Sequence, residues 1–342
     1  RPDIVHSQHP FLLGMTAVRI ARRRGLPLVF THHTLYEQYT HYVPGDSPAL
    51  KRFAIELATR YANLADQVFA PSESVRDLLL ARGVTTPIAV VPTGVLVEHF
   101  AHGDGPAFRR QVGIPEDAFV VGHLGRLAPE KNLEFLARAV ADFVDRHPQA
   151  HFLVVGTGPS EAVLRDLFAA AGLATRLHIA GILQQQALTD ALHAMDVFAF
   201  ASTSETQGMV LTEAMAAGLP VVALDAPGAR EVVRDGQNGR LLAGDATPVA
   251  FSAALQWTAA LTAEARRALG RAALDTAAAF SMPRSADKAQ ASYAALQGGL
   301  GKEEGGWEVF MTAIRTEWDI LKSVAGAGDA ALGASLFPER ED

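Results

Sequence analysis

The sequence contains no cysteine, which excludes disulfides, thiolate zinc sites, iron–sulfur clusters and cysteine nucleophiles. It also lacks any run of about 18 uncharged apolar residues, so we expect no membrane-spanning helix. The sequence has no excess of positive charge either, because its 30 Lys and Arg residues are outnumbered by 37 Asp and Glu residues, giving a net charge of −7. We therefore expect no nucleic-acid partner.

What the sequence does contain is a composition typical of folded domains, with 342 residues of which 49% are hydrophobic. Short β-rich runs alternate with longer helical patterns, which predicts an α/β fold with parallel sheets. The alternation pauses in a stretch rich in glycine and proline and then restarts. We predict an N-terminal Rossmann-like domain over residues 1–103, incomplete at its start, a linker over 104–117 and a second Rossmann-like domain over 118–280. C-terminal helices over 281–324 should pack back on the N-terminal domain, followed by a loose tail over 325–342.

Ligands of open α/β sheets bind beyond the carboxyl ends of the strands, so the loops after the predicted strands carry the chemistry. The loop after the predicted strand 119–123 contains Gly125, Arg126 and Lys131. A glycine allows close backbone approach, and two cations beside a helix start suit a phosphate or diphosphate. The alternative is a tight turn with two solvated cations.

The loop after the predicted strand 151–155 begins Gly156-Thr157-Gly158, like the start of a dinucleotide fingerprint. Glu161 stands where the third small residue belongs, and the next predicted strand ends without an acidic residue. These departures disfavour an NAD oxidoreductase. A phosphate-facing turn and a plain βα turn both stay open.

The loop after the predicted strand 197–201 carries Glu205, and Glu213 follows with seven residues between them. The backbone N–H groups of residues 208–210 lie between the two carboxylates. One loop thus offers a carboxylate for sugar hydroxyls, amides for an anion and a second carboxylate for a ribose. In the alternative, Glu205 belongs to a helix cap and Glu213 is a solvated helix residue.

Histidines and aromatic residues follow the predicted strand 28–31. Alternation along a strand puts His32 and His33 on opposite faces, so only one of them can face a cleft. Tyr36, Glu37 and Tyr39 come next and suit the binding of polar groups. Because no metal-ligand spacing is present, we expect no metal.

Several of these motifs occur in the order found in one family. The Glu205 to Glu213 spacing, continued by Ala-Met-Ala-Ala-Gly-Leu-Pro-Val-Val at 214–222, resembles the signature of retaining glycosyltransferases of family 4. The loop around Arg126 and Lys131 resembles the donor-phosphate loop of that family. The resemblance covers about residues 1–296 and implies the GT-B fold, with two Rossmann-like domains facing across a cleft. A strand and a Gly-rich acceptor loop open that fold, and we expect both to precede Arg1.

The resemblance also implies roles for individual residues. His33 and Glu205 would be catalytic, Arg126 and Lys131 would hold the donor diphosphate, and Glu213 would bind the ribose. The implied donor-binding residues are Gly125, Arg126, Lys131, Gly156, Ile182, Leu183, Gln207, Gly208, Met209, Val210 and Glu213. The implied acceptor-binding residues are Tyr36, Glu37 and Tyr39.

Residues 30–39 are similar to the acceptor loop of bacterial diacylglycerol glucosyltransferases. This implies transfer of a hexose, with retention, from a UDP-sugar such as UDP-glucose to a membrane lipid, with no cofactor besides the nucleotide sugar. The basic residues 22–24 favour an anionic membrane surface, so we expect a cytoplasmic enzyme held peripherally on the inner face of the plasma membrane. The alternatives are an inactive or truncated nucleotide-sugar-binding protein, a sugar-nucleotide epimerase, and a transferase with a soluble or polysaccharide acceptor.

Overall fold

The computed structural model describes residues 2–42, 47–203, 205–297 and 306–336. The chain divides into two compact units. Unit 1 comprises Arg1–Pro92 with Ala286–Asp342, and unit 2 comprises Thr93–Ser285. The break therefore comes at Pro92, earlier than the predicted end of the first domain at residue 103.

Unit 1 is built on a parallel sheet of four strands in the order β1-β2-β3-β4. The strands are β1 (Val5–Ser7), β2 (Leu28–Thr31), β3 (Gln67–Ala70) and β4 (Ile88–Val90). The helices between them are α1 (Leu13–Arg24), α2 (Pro48–Ala62) and α3 (Glu73–Ala81). Ser47 and Ser72 cap α2 and α3 with their side-chain oxygens, as their positions before each helix predict.

Unit 2 contains a parallel sheet of six strands in the order β10-β9-β8-β5-β6-β7. The helices α4 (Val97–Phe100) and α5 (Gly105–Val112) precede it. The strands are β5 (Phe119–Leu124), β6 (Ala150–Val155), β7 (Leu177–Ile179), β8 (Val197–Phe200), β9 (Val221–Leu224) and β10 (Gly239–Leu242). The helices within and after the sheet are α6 (Leu133–Arg146), α7 (Glu161–Ala170), α8 (Gln185–His193), α9 (Met209–Ala216), α10 (Ala229–Val232), α11 (Pro248–Ala259) and α12 (Ala263–Ala279). The predicted α/β class is confirmed in both units.

Two further helices follow in the described residues, α13 (Met282–Gln297) and α14 (Gly306–Leu336). α14 packs against α1 and α2, and its Ile320 and Ala327 belong to the core of unit 1. The structure corrects the predicted loose tail over residues 325–336, which continue α14, and residues 337–342 lie outside the described residues. Alanine favours helix, and the small Gly326 lets the helix lie close to Arg60, where an added Cβ would come within 2.5 Å of Cζ.

The predicted linker over 104–117 is also corrected, since α5 occupies much of it. The Asp104 carboxylate accepts a hydrogen bond from the Ala107 amide at 2.9 Å, which begins the helix. Phe108 is buried in the core of unit 2. Glycine and proline here cap and start a helix, and for this reason their density gave a false linker signal.

The strand order of unit 2 places its topological switch point between β5 and β8. From β5 the chain proceeds to β6 and β7 on one side and then crosses to β8 on the other. The loops that follow β5 and β8 therefore leave in opposite directions and open a crevice at the carboxyl end of the sheet. Among the helices of the described ranges, none is long and apolar enough to cross a membrane.

Candidate active site

The loop after β5 packs backbone against backbone with the loop after β6. The Gly125 amide donates to the Val155 carbonyl at 3.0 Å, and the Leu127 amide donates to the Thr157 carbonyl at 2.9 Å. A Cβ on Gly156 would stand 1.9 Å from the Gly125 carbonyl oxygen, so only glycine fits there. Gly125 and Gly156 thus allow the two turns to lie in contact at the edge of the crevice.

Both predicted phosphate-binding cations form ion pairs with carboxylates. Arg126 pairs with Glu130, and Lys131 pairs with Glu205. The Lys131 and Glu205 side chains are each only 16% exposed. This pair joins the loop after β5 to the loop after β8, so the structure brings together two groups that the sequence assigned to diphosphate and sugar.

The start of α9 lies in the same loop as Glu205. Gly208 caps α9 with a positive φ of 69°, a backbone conformation that favours glycine. Gly228 packs against this loop, since a Cβ there would come within 2.8 Å of the Glu205 Cβ. One turn into α9, burial raises the pKa of Glu213 to about 7. A half-buried carboxyl in the first turns of the helix that follows this loop agrees with the ribose-binding role that the sequence predicted.

Gln207 has a different partner from the one expected. Its Oε1 accepts from the Thr93 amide at 2.6 Å, and its Nε2 donates to the Thr93 carbonyl at 2.7 Å. The side chain is buried and both ends of its amide are engaged. Gln207 therefore anchors the first residue of unit 2.

The remaining predicted donor residues differ in exposure. Ile182 is 69% exposed and Met209 is 39% exposed. Leu183 and Val210 pack partly buried against the core of unit 2. The Gly156 amide donates to the Gly181 carbonyl at 2.8 Å, which places residues 182 and 183 beside the glycine turns after β6.

The adjacent histidines of unit 1 have opposite environments. His33 is exposed, and its Nε2 donates to the Gln8 carbonyl at 3.0 Å. His32 is buried beside the rings of Phe30 and Tyr36, with centroids 5.8 and 5.9 Å away. Burial lowers the pKa of His32 to about 4, and within the described part of the chain neither ring nitrogen has a hydrogen-bond partner. Both histidines follow the end of β2, and His33 is the one that solvent reaches.

Three predicted acceptor residues lie on a 3-10 helix, Tyr36–Tyr42. The Tyr36 ring meets the rings of His9 and Phe11 edge to face, at centroid distances of 5.5 and 5.1 Å. Glu37 forms an ion pair with Arg82 at 2.6 Å, and both side chains are largely buried. Tyr39 is half-buried. Glu37 thus helps to hold the 3-10 helix against the C-terminal end of α3.

One residue at the crevice escaped the sequence prediction. His123 lies near the end of β5, is 1% exposed and stacks on Phe198 with ring centroids 6.2 Å apart. Its Nδ1 and the Ala199 carbonyl oxygen of β8 are 3.1 Å apart. The available signal was a histidine inside an otherwise apolar strand, two residues before the glycine of the phosphate-type turn.

Two family models match most of residues 1–275. The model described as Glycosyl transferases group 1 matches residues 104–275, and the model described as Glycosyltransferase Family 4 matches residues 1–99. The chain belongs to the glycosyl transferases of group 1. The family resemblance inferred from the Glu205 to Glu213 motif is thereby confirmed.

Named relatives in the family include two kinds of enzyme. An alpha-monoglucosyldiacylglycerol synthase of Acholeplasma laidlawii is 29% identical over 69% of this chain and 62% of its own length. A D-inositol 3-phosphate glycosyltransferase of Stackebrandtia nassauensis is 34% identical over 85% of this chain and 68% of its own. The chain spans about three fifths of the length of the first of these relatives.

Solved structures support the fold. The Anabaena protein HepE, crystallised with UDP and glucose, superimposes with a TM-score of 0.72 at 23% identity. The superposition covers 86% of this chain and 78% of HepE. Together with the two parallel sheets, this similarity confirms the predicted GT-B class of fold.

Proposed function

We propose that the protein transfers a hexose, with retention, from a UDP-sugar to an acceptor hydroxyl. The observation that carries the proposal is the ion pair between Lys131 and Glu205 at the switch point between β5 and β8. A cation for a diphosphate and a carboxylate for sugar hydroxyls lie side by side, in a family of glycosyl transferases. HepE with UDP and glucose supports UDP-glucose as the donor to test first.

The proposed reaction breaks the bond between the sugar anomeric carbon and the diphosphate oxygen. The acceptor oxygen forms its bond to the same carbon on the same face, and its proton passes to the departing phosphate. Arg126 and Lys131 stabilise the charge that develops on the diphosphate, a role in which fixed cations are effective within a partly buried site. No metal and no carboxylate nucleophile is required, unlike in retaining glycoside hydrolases.

We propose a membrane lipid such as diacylglycerol as the acceptor. The support is the resemblance of residues 30–39 to the acceptor loop of lipid glucosyltransferases and the similarity to the Acholeplasma synthase. His33, exposed at the end of β2, is the proposed acceptor-side residue nearest the reaction. The second candidate acceptor is inositol 3-phosphate, favoured by the relative that covers 85% of this chain.

Radiolabelled UDP-glucose tests both acceptors. The protein is incubated with diacylglycerol in phosphatidylglycerol vesicles, with inositol 3-phosphate, or without an acceptor, each with and without EDTA. We expect an α-glucosyl lipid, formed equally with EDTA, and its loss in Glu205→Gln. Label on inositol phosphate alone would favour the second candidate, and donor binding without transfer would indicate a non-catalytic nucleotide-sugar-binding protein.

Membrane attachment is a separate part of the proposal. Lys51 and Arg52 on α2 are exposed, as are residues 22–24 at the end of α1. Each cation near an anionic surface contributes about 1 kcal/mol of attraction. Sedimentation with anionic vesicles should be salt-sensitive and weakened by Lys51→Glu with Arg52→Glu, whereas Arg267→Glu on α12 of unit 2 serves as the control. Equal, negligible binding to neutral and anionic vesicles at low salt would contradict the attachment.

A further inference from the structure

The imidazole of His123 connects the two strands that flank the switch point. It belongs to β5, and its Nδ1 bonds to the Ala199 carbonyl of β8 at 3.1 Å. Because a carbonyl oxygen only accepts, Nδ1 donates and carries a hydrogen in every protonation state. The atom left to gain or lose a proton is therefore Nε2.

Nε2 of His123 is buried and, among the residues described, has no hydrogen-bond partner. It points toward the turn where the diphosphate is proposed to bind: a Cβ on Gly125 would be 3.7 Å from it. Buried imidazole nitrogens are normally hydrogen-bonded. An unsatisfied lone pair beneath a phosphate-type glycine turn thus needs a reason.

The charges of the site give a reason for the unsatisfied Nε2 of His123. Arg126 is paired with Glu130 and Lys131 with Glu205, so these four groups carry no net charge. A nucleotide-sugar diphosphate brings a negative charge on each phosphate into this neutral, partly buried surrounding. Uncompensated charge in such a place is costly, and a proton taken from the buffer is the available compensation.

We propose that His123 takes up a proton at Nε2 when the nucleotide-sugar diphosphate binds, so that an imidazolium beneath Gly125 supplies the missing positive charge. The inference rests on the proposed function, because it requires that a diphosphate binds at this turn. It assigns His123 as a positioning residue that acts on the donor through the Gly125 turn.

The surroundings of His123 agree with a neutral empty state and a charged bound state. Burial, assisted by the Lys131 ammonium, lowers the pKa of His123 to about 4, so the ring is neutral near pH 6 without a donor. The negative charge of a diphosphate bound at the turn raises the pKa of His123. On the β8 side the ring meets Phe198, which has no charge. Glu213, whose pKa is about 7, also titrates in this range, and its proton exchange is separated by experiment.

Calorimetry with UDP-glucose at pH 6, repeated in buffers of different ionisation enthalpy, counts the protons taken up. UDP-glucose suits the measurement because its phosphate diesters do not titrate near this pH. In Glu213→Gln, where Glu213 cannot contribute, we expect uptake approaching one proton for each donor bound. In the same background, the affinity for UDP-glucose should fall as the pH rises, by up to about tenfold for each pH unit over which a proton is taken up.

His123→Gln, with a neutral amide that can still donate to Ala199, should bind UDP-glucose more weakly and take up no proton in the Glu213→Gln background. His151→Gln is the matched control, since His151 is also a mostly buried histidine of unit 2 but bonds to His178. Uptake that persists without His123, or binding without uptake, would overturn the inference alone. Absence of UDP-glucose binding to the unaltered protein would overturn the proposed function as well.

A spectroscopic measurement covers the case in which His123→Gln does not fold. With ¹⁵N-labelled histidine, the Nε2 resonance of His123 in Glu213→Gln should move from the range of a bare nitrogen to that of a protonated one on saturation with UDP-glucose. An Nε2 resonance that stays in the bare range would overturn the inference.

Discussion

Gln207 and Thr93 exchange two hydrogen bonds, with the Gln207 side-chain amide pairing with both the backbone N–H and the C=O of Thr93. The two bonds resemble a backbone pair of neighbouring β-strands. They connect the loop after β8 to the residue where unit 2 begins. It fixes Gln207 in the interval between the two carboxylates of the motif. Gln207, one of the predicted donor-binding residues, thus also has a structural contact within unit 2.

Gln207→Ala should lower the free energy of unfolding of unit 2 by about 1–3 kcal/mol, because two hydrogen bonds to the Thr93 backbone, each contributing about 0.5–1.5 kcal/mol, are lost. Urea unfolding followed by circular dichroism measures the change. Gln256→Ala on the exposed face of α11 is the control and should cost less than about 0.5 kcal/mol. A loss for Gln207→Ala no larger than for the control would show that water replaces both bonds.

Arg126→Ala and Lys131→Ala should each weaken UDP binding by about ten- to a hundred-fold, since a charge-assisted contact contributes roughly 1.5–3 kcal/mol. Uridine, which has no phosphate, should bind equally to all forms. Arg138→Ala is a matched control, because Arg138 pairs with Glu134 at the same i,i+4 spacing as Arg126 with Glu130, but on α6. Unchanged UDP affinity in calorimetry would remove the phosphate role of this loop.

Acid should destabilise the protein between about pH 6.5 and pH 4. The pKa values of four buried or half-buried histidines, His6, His32, His123 and His151, lie near 4 in the folded chain. The unfolded chain, with histidine pKa values near 6.5, binds more protons in this range, so stability rises with pH and falls as pH drops.

Urea unfolding at pH 7.5 and 5 measures this loss of stability, with the two units followed separately. His151→Gln should reduce the pH dependence of unit 2, whereas His102→Gln, at an exposed position of the same unit, should leave it unchanged. Equal stability of the unaltered protein at both pH values would contradict the prediction.

Gly156→Ala should destabilise unit 2 by about 3 kcal/mol or more and weaken UDP binding, because the new methyl would collide with the Gly125 carbonyl. Gly172→Ala separates this collision from backbone strain. Gly172 has a φ of +71°, yet nothing lies within 4 Å of a Cβ there, so the cost should be only about 1 kcal/mol. Thermal unfolding and calorimetry of the pair test the difference, and equal effects would exclude the collision.

The sequence predicted the strands and the loops that follow them, because each follows from local pattern. Hydrophobic runs such as β6 and β8 are buried on both faces, and a glycine or cation directly after a strand marks the ligand edge. Local pattern does not predict which side chains contact one another. The contacts of Glu205 with Lys131 and of Gln207 with Thr93 form between distant parts of the sequence, so they depend on how the chain folds.

The errors at the ends of the units have physical causes of the same kind. Gly105 and Pro106 start α5 rather than a linker, since Asp104 caps the helix that contains them. Residues 325–336 are helical because tertiary contacts with α1 and α2 support them. Composition alone does not separate a helix stabilised by packing from a loose segment.

The division of the chain has a consequence for its synthesis. Unit 2 is one uninterrupted segment, whereas unit 1 closes only when α14, near the far end of the chain, packs on α1 and α2. Because α14 follows unit 2 in the sequence, the ribosome synthesises it after unit 2. Unit 2 can therefore finish folding while the first part of unit 1 still lacks a part of its core. During synthesis the faces of α1 and α2 that α14 later covers are therefore exposed, and we expect the nascent chain to need chaperone protection most in that interval.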